Sequence, residues 1–272
     1  MARSSGKIIP LNPTLEKGGD KSVTPRISWG RGEIGGPRHE YRESLLFRIV
    51  RDKLQSGSAV LDAGCGSGSL LFKLAALDCK VYGIEQSKEY VEILQKEVIT
   101  RGISNIGQVK YGSVTDIPYP DKTFDLIVSG DVLEHVKDDV KAVKEFYRVL
   151  RHGGFCVVSV PALPSSWDFS DDWAGHLRRY TKEGLVSLFK KTGFVVEDVR
   201  FWGFPFVRLY HRLIYLPYVK KKMSKGRAED IDRPPDAGKH KLLTSVLRVI
   251  FYVDSLFRWI PYGTGLTLRA RK

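Results

Sequence analysis

The sequence predicts an α/β fold: a largely parallel sheet covered by helices on both faces. Three observations predict it. Short apolar runs alternate along the chain with helical patterns of about ten residues, which is how successive βαβ units read. The first run leads through Val60-Leu61-Asp62-Ala63 into Gly64-Cys65-Gly66-Ser67-Gly68, three glycines in five positions. Glycine loses the most backbone entropy on folding, so it belongs where φ is positive or where another group comes close. The second run, Val81-Tyr82-Gly83-Ile84, ends in an acid, Glu85. Parallel sheets bind ligands beyond the carboxyl ends of their strands, and these polar positions fall there.

The elements follow in order. Residues 1–37 are rich in Gly, Pro and Ser and lack the apolar stretch of a secretory signal, so they read as a flexible leader. Leu45, Leu46, Ile49, Val50 and Leu54 recur at helical spacing over 39–54. Strand 59–63 precedes a helix at 70–77. Strand 81–84 precedes a helix at 88–101, stopped by Gly102. Strands at 109–111 and 124–129 come next, then a helix at 140–150 closed by His152-Gly153-Gly154. Strand 155–160 stops at Pro161. A helix at 181–191 has Thr181 as N-cap and Gly193 as stop. Runs at 195–201 and 266–270 complete the pattern. The organisation is a leader (1–37), a core (38–203), an insertion (204–262) and a last strand of the core (263–272).

The composition narrows the setting. Of 272 residues 42% are hydrophobic, enough for a sizeable core. Cys65, Cys79 and Cys156 show no C-x-x-C spacing, which argues against a zinc knuckle or a disulfide framework and for a reducing, cytoplasmic compartment. The formal charge is +13, and it is concentrated: from Arg200 to Lys272, sixteen Lys/Arg face five Asp/Glu. Such a block suits an anionic partner, whether membrane surface, nucleic acid or substrate, or else a solvated basic face.

A dinucleotide fingerprint would need glycine at position 69, where this chain has Ser69. The pattern is instead Asp62, Gly64, Gly66, Gly68. Glu85 follows Gly66 at the distance where an acid meets ribose hydroxyls; it can also serve simply as an acid at a helix N-terminus. Together VLDAGCGSG, VYGIEQS, GSVTDIPYPDKTFDLIVSGDVLEHV and LRHGGFCVVSVP stand in the order and spacing of the class I S-adenosylmethionine-dependent methyltransferases, which this chain resembles over about residues 40 to 160. GHLRRYTKEGLVSLFKKTGFVVEDVRFWGF resembles the downstream half of the same domain. The resemblance implies a Rossmann-like seven-stranded sheet whose last strand is antiparallel, with the helical insertion before it. It also implies S-adenosyl-L-methionine as cofactor. Its methionine part would lie over Asp62, Gly64, Cys65, Gly66 and Gly68, its ribose at Glu85 and Gln86, its adenine at Ser113 and Val114, and its methyl near Ser129. The family usually has an acid where Ser113 stands.

Methyl transfer needs acceptor and methyl held in line, and sometimes a proton removed. Asp131, Glu134 and His135 follow the fourth strand. Ubiquinone-pathway O-methyltransferases and small-RNA 2′-O-methyltransferases carry a similar E-x-x-E-H stretch that binds a divalent metal. On one helical turn these three positions share a face, so they form a candidate metal set. Asp131 and His135 are also catalytic candidates, and a structural role for His135 stays open. In DDWAGHLRRYT, His176 is a second candidate base, Arg178 can meet an anionic substrate, and Arg179 with Tyr180 can simply fix the lead into the next helix. Trp167 and Trp173 can wall the pocket.

The insertion holds two apolar segments flanked by Lys and Arg. Arg208, Arg212, Arg248, Asp254 and Arg258 interrupt them, so neither spans a bilayer. They read as interfacial helices over the active-site mouth, with Lys220–Lys222 and Lys225 as a basic cluster, or as a helical cap on the core. The combined expectation is methylation, at oxygen, of a small or lipid-linked acceptor by a cytoplasmic enzyme that can sit at a membrane. The alternatives are an RNA methyltransferase using the basic C-terminal region and a non-catalytic cofactor-binding subunit.

Overall fold

The computed structural model describes residues 36–224 and 241–272. The expected leader, apart from its last two residues, and Lys225 of the expected basic cluster lie outside the described residues.

Seven strands form one sheet in the order β3-β2-β1-β4-β5-β7-β6. They are β1 (Ser58–Ala63), β2 (Cys79–Glu85), β3 (Ile106–Tyr111), β4 (Phe124–Gly130), β5 (Leu150–Pro161), β6 (Val195–Trp202) and β7 (Gly265–Arg271). The first five pair in parallel, and β7 runs antiparallel between β5 and β6. β1 and β4, at the centre of the sheet, are buried along most of their length because helices cover both faces, so their sequences are largely apolar runs rather than alternating ones. The strand order reverses between β1 and β4, with β2 and β3 on one side and β4 and β5 on the other. This switch point opens a crevice at the carboxyl edge.

On one face α1 (Pro37–Arg51), α2 (Ser69–Leu74) and α3 (Lys88–Arg101) bury Leu46, Leu71 and Leu94 against β1, β2 and β4. On the other, α4 (Asp139–Val149) and α6 (Lys182–Lys191) bury Phe146 and Phe189. The helix starts are set by side-chain caps: Ser87 for α3, Asp138 for α4 and Thr181 for α6 each accept from a backbone N–H one turn on. A short helix not foreseen from the sequence, α5 (Phe169–Ala174), is held by a reciprocal capping box between Asp168 and Asp171.

Some boundaries differ from expectation. β5 begins at Leu150, so the expected helix closure at 152–154 lies inside the strand. Gly153 there has φ +79, and its N–H bonds to the Lys272 carbonyl. A Cβ on Gly154 would sit 2.8 Å from the Asp125 carbonyl oxygen, so this glycine serves the close approach of β4 and β5 rather than a helix end. The expected helical turn at 131–135 is reduced to a 3₁₀ turn, Leu133–His135, because Asp131 has φ +54 and Val132 is not helical.

Between β6 and β7 the chain forms α7 (Phe206–Tyr210), a π-helical turn (His211–Tyr215), α8 (Leu216–Ser224), α9 (Lys241–Val253) and a 3₁₀ turn (Asp254–Phe257). Tyr41, Leu45, Trp202, Val207 and Phe251 make a small third core that fastens α7 and α9 to α1. Asp254, buried, accepts from the N–H groups of Phe206 and Val207 at 2.9 and 3.0 Å and so caps α7. Among the described residues no helix is long and apolar enough to cross a membrane.

Candidate active site

The glycine loop joins β1 to α2 at the switch point. Gly64, Gly66 and Gly68 all have positive φ, at 82°, 51° and 81°. Their surroundings differ. A Cβ on Gly64 would meet Val132 at 2.5 Å, and one on Gly68 would meet Leu94 at 2.3 Å. A Cβ on Gly66 would meet nothing within 4 Å. So Gly64 and Gly68 are required by the protein's own packing, and the open approach expected along the whole loop is found at Gly66. Cys65 also departs from expectation. Its side chain is buried toward Gly83, and burial pushes its thiol well above the ordinary range.

Glu85 accepts from the Gly66 N–H at 2.9 Å and from the Ser87 N–H at 2.8 Å. Both readings of this acid are thus compatible, since each carboxylate oxygen keeps a further lone pair. Asp62 is 2% exposed, and its Oδ2 has no hydrogen-bond partner among the described residues. Burial, with the charges of Glu43 and Glu85 adding to it, pushes its carboxyl up to about 8. A buried, unpartnered acid beside an open glycine can take a cationic group.

Gln86 is exposed at the rim. Ser113 accepts from the Thr115 N–H at 3.2 Å in a turn after β3, and Val114 is buried in the core. Ser129 is 1% exposed and donates its hydroxyl to the Ala63 carbonyl at 2.8 Å. It ties β4 to β1 at the start of the glycine loop, so its hydroxyl proton is already engaged by the protein.

The groups after β4 separate into two clusters. Asp131 accepts from Ser159 Oγ at 2.9 Å and from the buried Arg42 guanidinium, and its N–H bonds to the Ser159 carbonyl. Burial opposes its ionisation, but Arg42 outweighs it and holds the carboxyl below the usual carboxylate range. Asp131 is therefore directed to α1 and does not join Glu134 and His135, and the expected metal set is corrected on this point. The residues that converge are Glu134, His135 and His176, whose ligand atoms all lie within 4.8 Å of one another.

His176 comes from the loop after α5. Its Nδ1 is 2.7 Å from Asp171 Oδ1, and Arg179 meets both oxygens of Asp171 at 2.8 Å. Asp171 is fully buried. Burial works against its charge, but the hydrogen bonds from His176 and Arg179 outweigh it and keep it ionised. An acceptor-only carboxylate requires the proton on Nδ1, so the neutral ring carries its lone pair on Nε2. That nitrogen is 4.0 Å from Glu134 Oε1, and the His135 and His176 rings lie 4.9 Å apart, edge to face. Burial, with His176 beside it, lowers His135 to about 4.

Arg178 is engaged by Asp139 at 2.9 Å and by the Lys137 carbonyl, partners within the protein. Arg179 and Tyr180 fix the lead into α6. Trp167 is 40% exposed and donates its indole N–H to Asp172 at 3.0 Å.

Residues 61–158 match the family described as a methyltransferase domain. A demethylmenaquinone methyltransferase of Geobacillus sp. (strain WCH70) is 32% identical over 132 residues, 47% of this chain and 55% of that protein. The uncharacterized methyltransferase YcgJ of Bacillus subtilis (strain 168) is 26% identical over 172 residues, 60% of this chain and 67% of that protein. The crystal structure of YcgJ superposes with a TM-score of 0.56 at 20% identity, over 86% of this chain and 96% of that one. Over these segments the chain is similar to methyltransferases, and it shares its fold with YcgJ. Its match spans little more than half the length of the demethylmenaquinone methyltransferase.

The residues of this site that sequence reasoning missed lie mostly on α1. Glu43 is buried and accepts from His39 at 2.8 Å, from Lys73 at 2.5 Å and from Ser69. Burial opposes its charge, but these partners hold its carboxyl at about 2. Arg42 supports Asp131, and Asp171 sets the proton on His176. Polar residues on the inner face of a helix were the available signal for the first two. Nothing local marks Asp171.

Proposed function

We propose that this chain transfers the methyl group of S-adenosylmethionine to a hydroxyl oxygen of a small, apolar, lipid-type acceptor. The observation that carries the reading is the convergence of Glu134, His135 and His176 at the carboxyl end of β4, beside the glycine loop and close to the insertion helices. In the transfer the sulfur–methyl bond breaks as an oxygen–carbon bond forms, and the hydroxyl's proton is lost at this cluster. The protein holds the reactants in line, which is where most of the rate of such a displacement arises. A demethylmenaquinone methyltransferase among the relatives supports a quinone-type acceptor, while the choice of oxygen rests on the proton-accepting cluster. The test is to incubate the purified chain with the cofactor and detergent-dispersed hydroxylated quinols or phenols, and with RNA in parallel. Formation of an O-methylated quinol or phenol, identified by mass spectrometry, supports the reading. Transfer only to RNA, or none, overturns it.

In this reading the cofactor lies against Gly66, with its ribose at Glu85 and its ammonium toward Asp62. At pH 7 the ligand-free Asp62 holds a proton, since its carboxyl stands at about 8. The arriving ammonium favours the carboxylate, so binding releases a proton. Affinity for S-adenosylhomocysteine should therefore rise from about pH 6 to about pH 8. Calorimetry in two buffers of different ionisation heat measures the release, and Asp62→Asn should remove it.

The insertion supports a membrane setting. Leu247, Ile250 and Phe251 face the third core, while Val246, Val249, Val253 and Leu256 form an outward stripe at helical spacing, with Trp259 80% exposed beyond it. Arg212, Lys220 and Lys221, on the neighbouring π-helical turn and α8, are exposed. An apolar stripe and nearby cations suit an anionic bilayer, each cation contributing roughly 1 kcal/mol. Co-sedimentation with vesicles containing anionic lipid should be strong at low salt and fall as salt rises. Equal binding to neutral vesicles, or none to either, argues for a substrate cap alone.

A further inference from the structure

We propose that Glu134, His135 and His176 bind one divalent transition-metal ion of the zinc type, with a coordination position left open toward the crevice. The proposal rests on the methyl-transfer reading for what the ion does there, and on the geometry of the cluster for its binding.

Each residue is prepared as a ligand. The Glu134 carboxyl is completely buried, and neither oxygen has a hydrogen-bond partner among the described residues. A carboxyl group sealed from water in this way ordinarily finds a donor or a cation. His176 donates its Nδ1 proton to Asp171, which two bonds from Arg179 fix in place, so its Nε2 lone pair faces Glu134. The His135 Nδ1 lies 3.3 Å from the Gly175 carbonyl oxygen, an acceptor, so the proton is on that nitrogen and the lone pair is on Nε2. A metal-bound histidine characteristically gives its other ring proton to a carboxylate or a backbone carbonyl. The two histidines here show one arrangement each.

The backbone holds the set together. Glu134 and His135 share the 3₁₀ turn after β4, and the Glu134 carbonyl accepts from the Leu177 N–H at 2.8 Å, which docks the His176 loop onto that turn. In a tetrahedral zinc site, bonds of about 2.0–2.1 Å place ligand atoms about 3.4 Å apart. The Glu134–His176 pair stands at 4.0 Å and the whole set within 4.8 Å, so side-chain rotation of about an ångström closes it. Two imidazoles and one carboxylate suit zinc and its first-row neighbours rather than magnesium or calcium, which prefer oxygen throughout. Three protein ligands leave a fourth position for a hydroxyl, whose acidity the ion would raise.

The experiment uses the full chain stripped with chelator and dialysed, then titrated with zinc against a chromophoric competitor, with metal content read by mass spectrometry. The expected result is one equivalent of zinc, unaffected by millimolar magnesium. Affinity should fall at least tenfold in both Glu134→Gln and His176→Asn and stay unchanged in His152→Asn, which alters an exposed histidine. Binding of S-adenosylhomocysteine, measured in the same samples, shows that the variants are folded. Sub-stoichiometric zinc, or affinity retained in both cluster variants, overturns the proposal. Zinc binding without S-adenosylhomocysteine binding would instead sink the methyl-transfer reading and leave the metal site standing.

Discussion

Gly66→Val is expected to abolish S-adenosylhomocysteine binding, with no calorimetric signal at a hundred times the wild-type Kd, while the chain stays folded. The reasoning is geometric. A Cβ at Gly66 meets no protein atom within 4 Å, so the branched side chain would enter only the space assigned to the cofactor. The cost to the fold is confined to φ +51. For an L residue that is roughly 1–2 kcal/mol. At about 2–4 °C per kcal/mol for a chain of this size, the melting temperature should drop by a few degrees. Gly68→Val makes the informative contrast. There the new side chain collides with Leu94 at 2.3 Å inside the α3 contact, and the main loss should be stability rather than affinity. Unchanged affinity in Gly66→Val would remove the loop from the cofactor site.

His176→Asn is expected to lower turnover by about 10²–10⁴, the usual range for losing a group on which removal of the acceptor's proton depends. Affinity for S-adenosylhomocysteine should stay within about twofold, because the His176 ring is engaged with Asp171 and faces Glu134 rather than Asp62 or Glu85. Asparagine keeps an amide donor near Asp171 but has no ring nitrogen to present toward Glu134. The loss should therefore fall on kcat and not on cofactor binding. Turnover within about threefold of wild type would show that the cluster takes no part in the transfer. Asp171→Asn offers a milder version of the same test, since it weakens the preference that places the lone pair on Nε2.

The contrast between Asp131 and His176 explains how far the site was legible. Asp131, Glu134 and His135 lie within five positions, and spacing alone invites the idea that they act together. That inference assumed a helical turn, and the chain does not make one. Asp131 sits at φ +54 and pairs with Arg42, a residue 89 positions earlier whose polar character inside a helix was its only signal. His176 was singled out for its neighbours Arg178, Arg179 and Tyr180, not for any relation to Glu134. Its place in the cluster depends on the Leu177–Glu134 backbone bond and on Asp171, which no local pattern announces. The partner of Ser129, the Ala63 carbonyl, was equally out of reach of the sequence. Alternation along a strand gives the period of the faces, but when both faces are buried it does not say which one a hydroxyl joins.

By itself the sequence determined what depends on short-range chemistry. The apolar runs and their caps set the strands and helices, and the glycine loop with Glu85 located the carboxyl edge. The order of four motifs implied a seven-stranded sheet with an antiparallel last strand, and that sheet is found. Interrupting charges ruled out membrane spans in the insertion. The tertiary structure alone decided which glycine leaves room for a ligand, since a Cβ collision depends on Val132 and Leu94 from other elements. It also decided that α1 carries Arg42 and Glu43 into the site, and that the insertion is anchored to α1 through Tyr41, Val207 and Phe251. It set the partners of His176 as well. The physical reason is common to all of these. Burial, proton position and ligand convergence are fixed by groups far apart in the chain, and only the packed core brings them within hydrogen-bond distance.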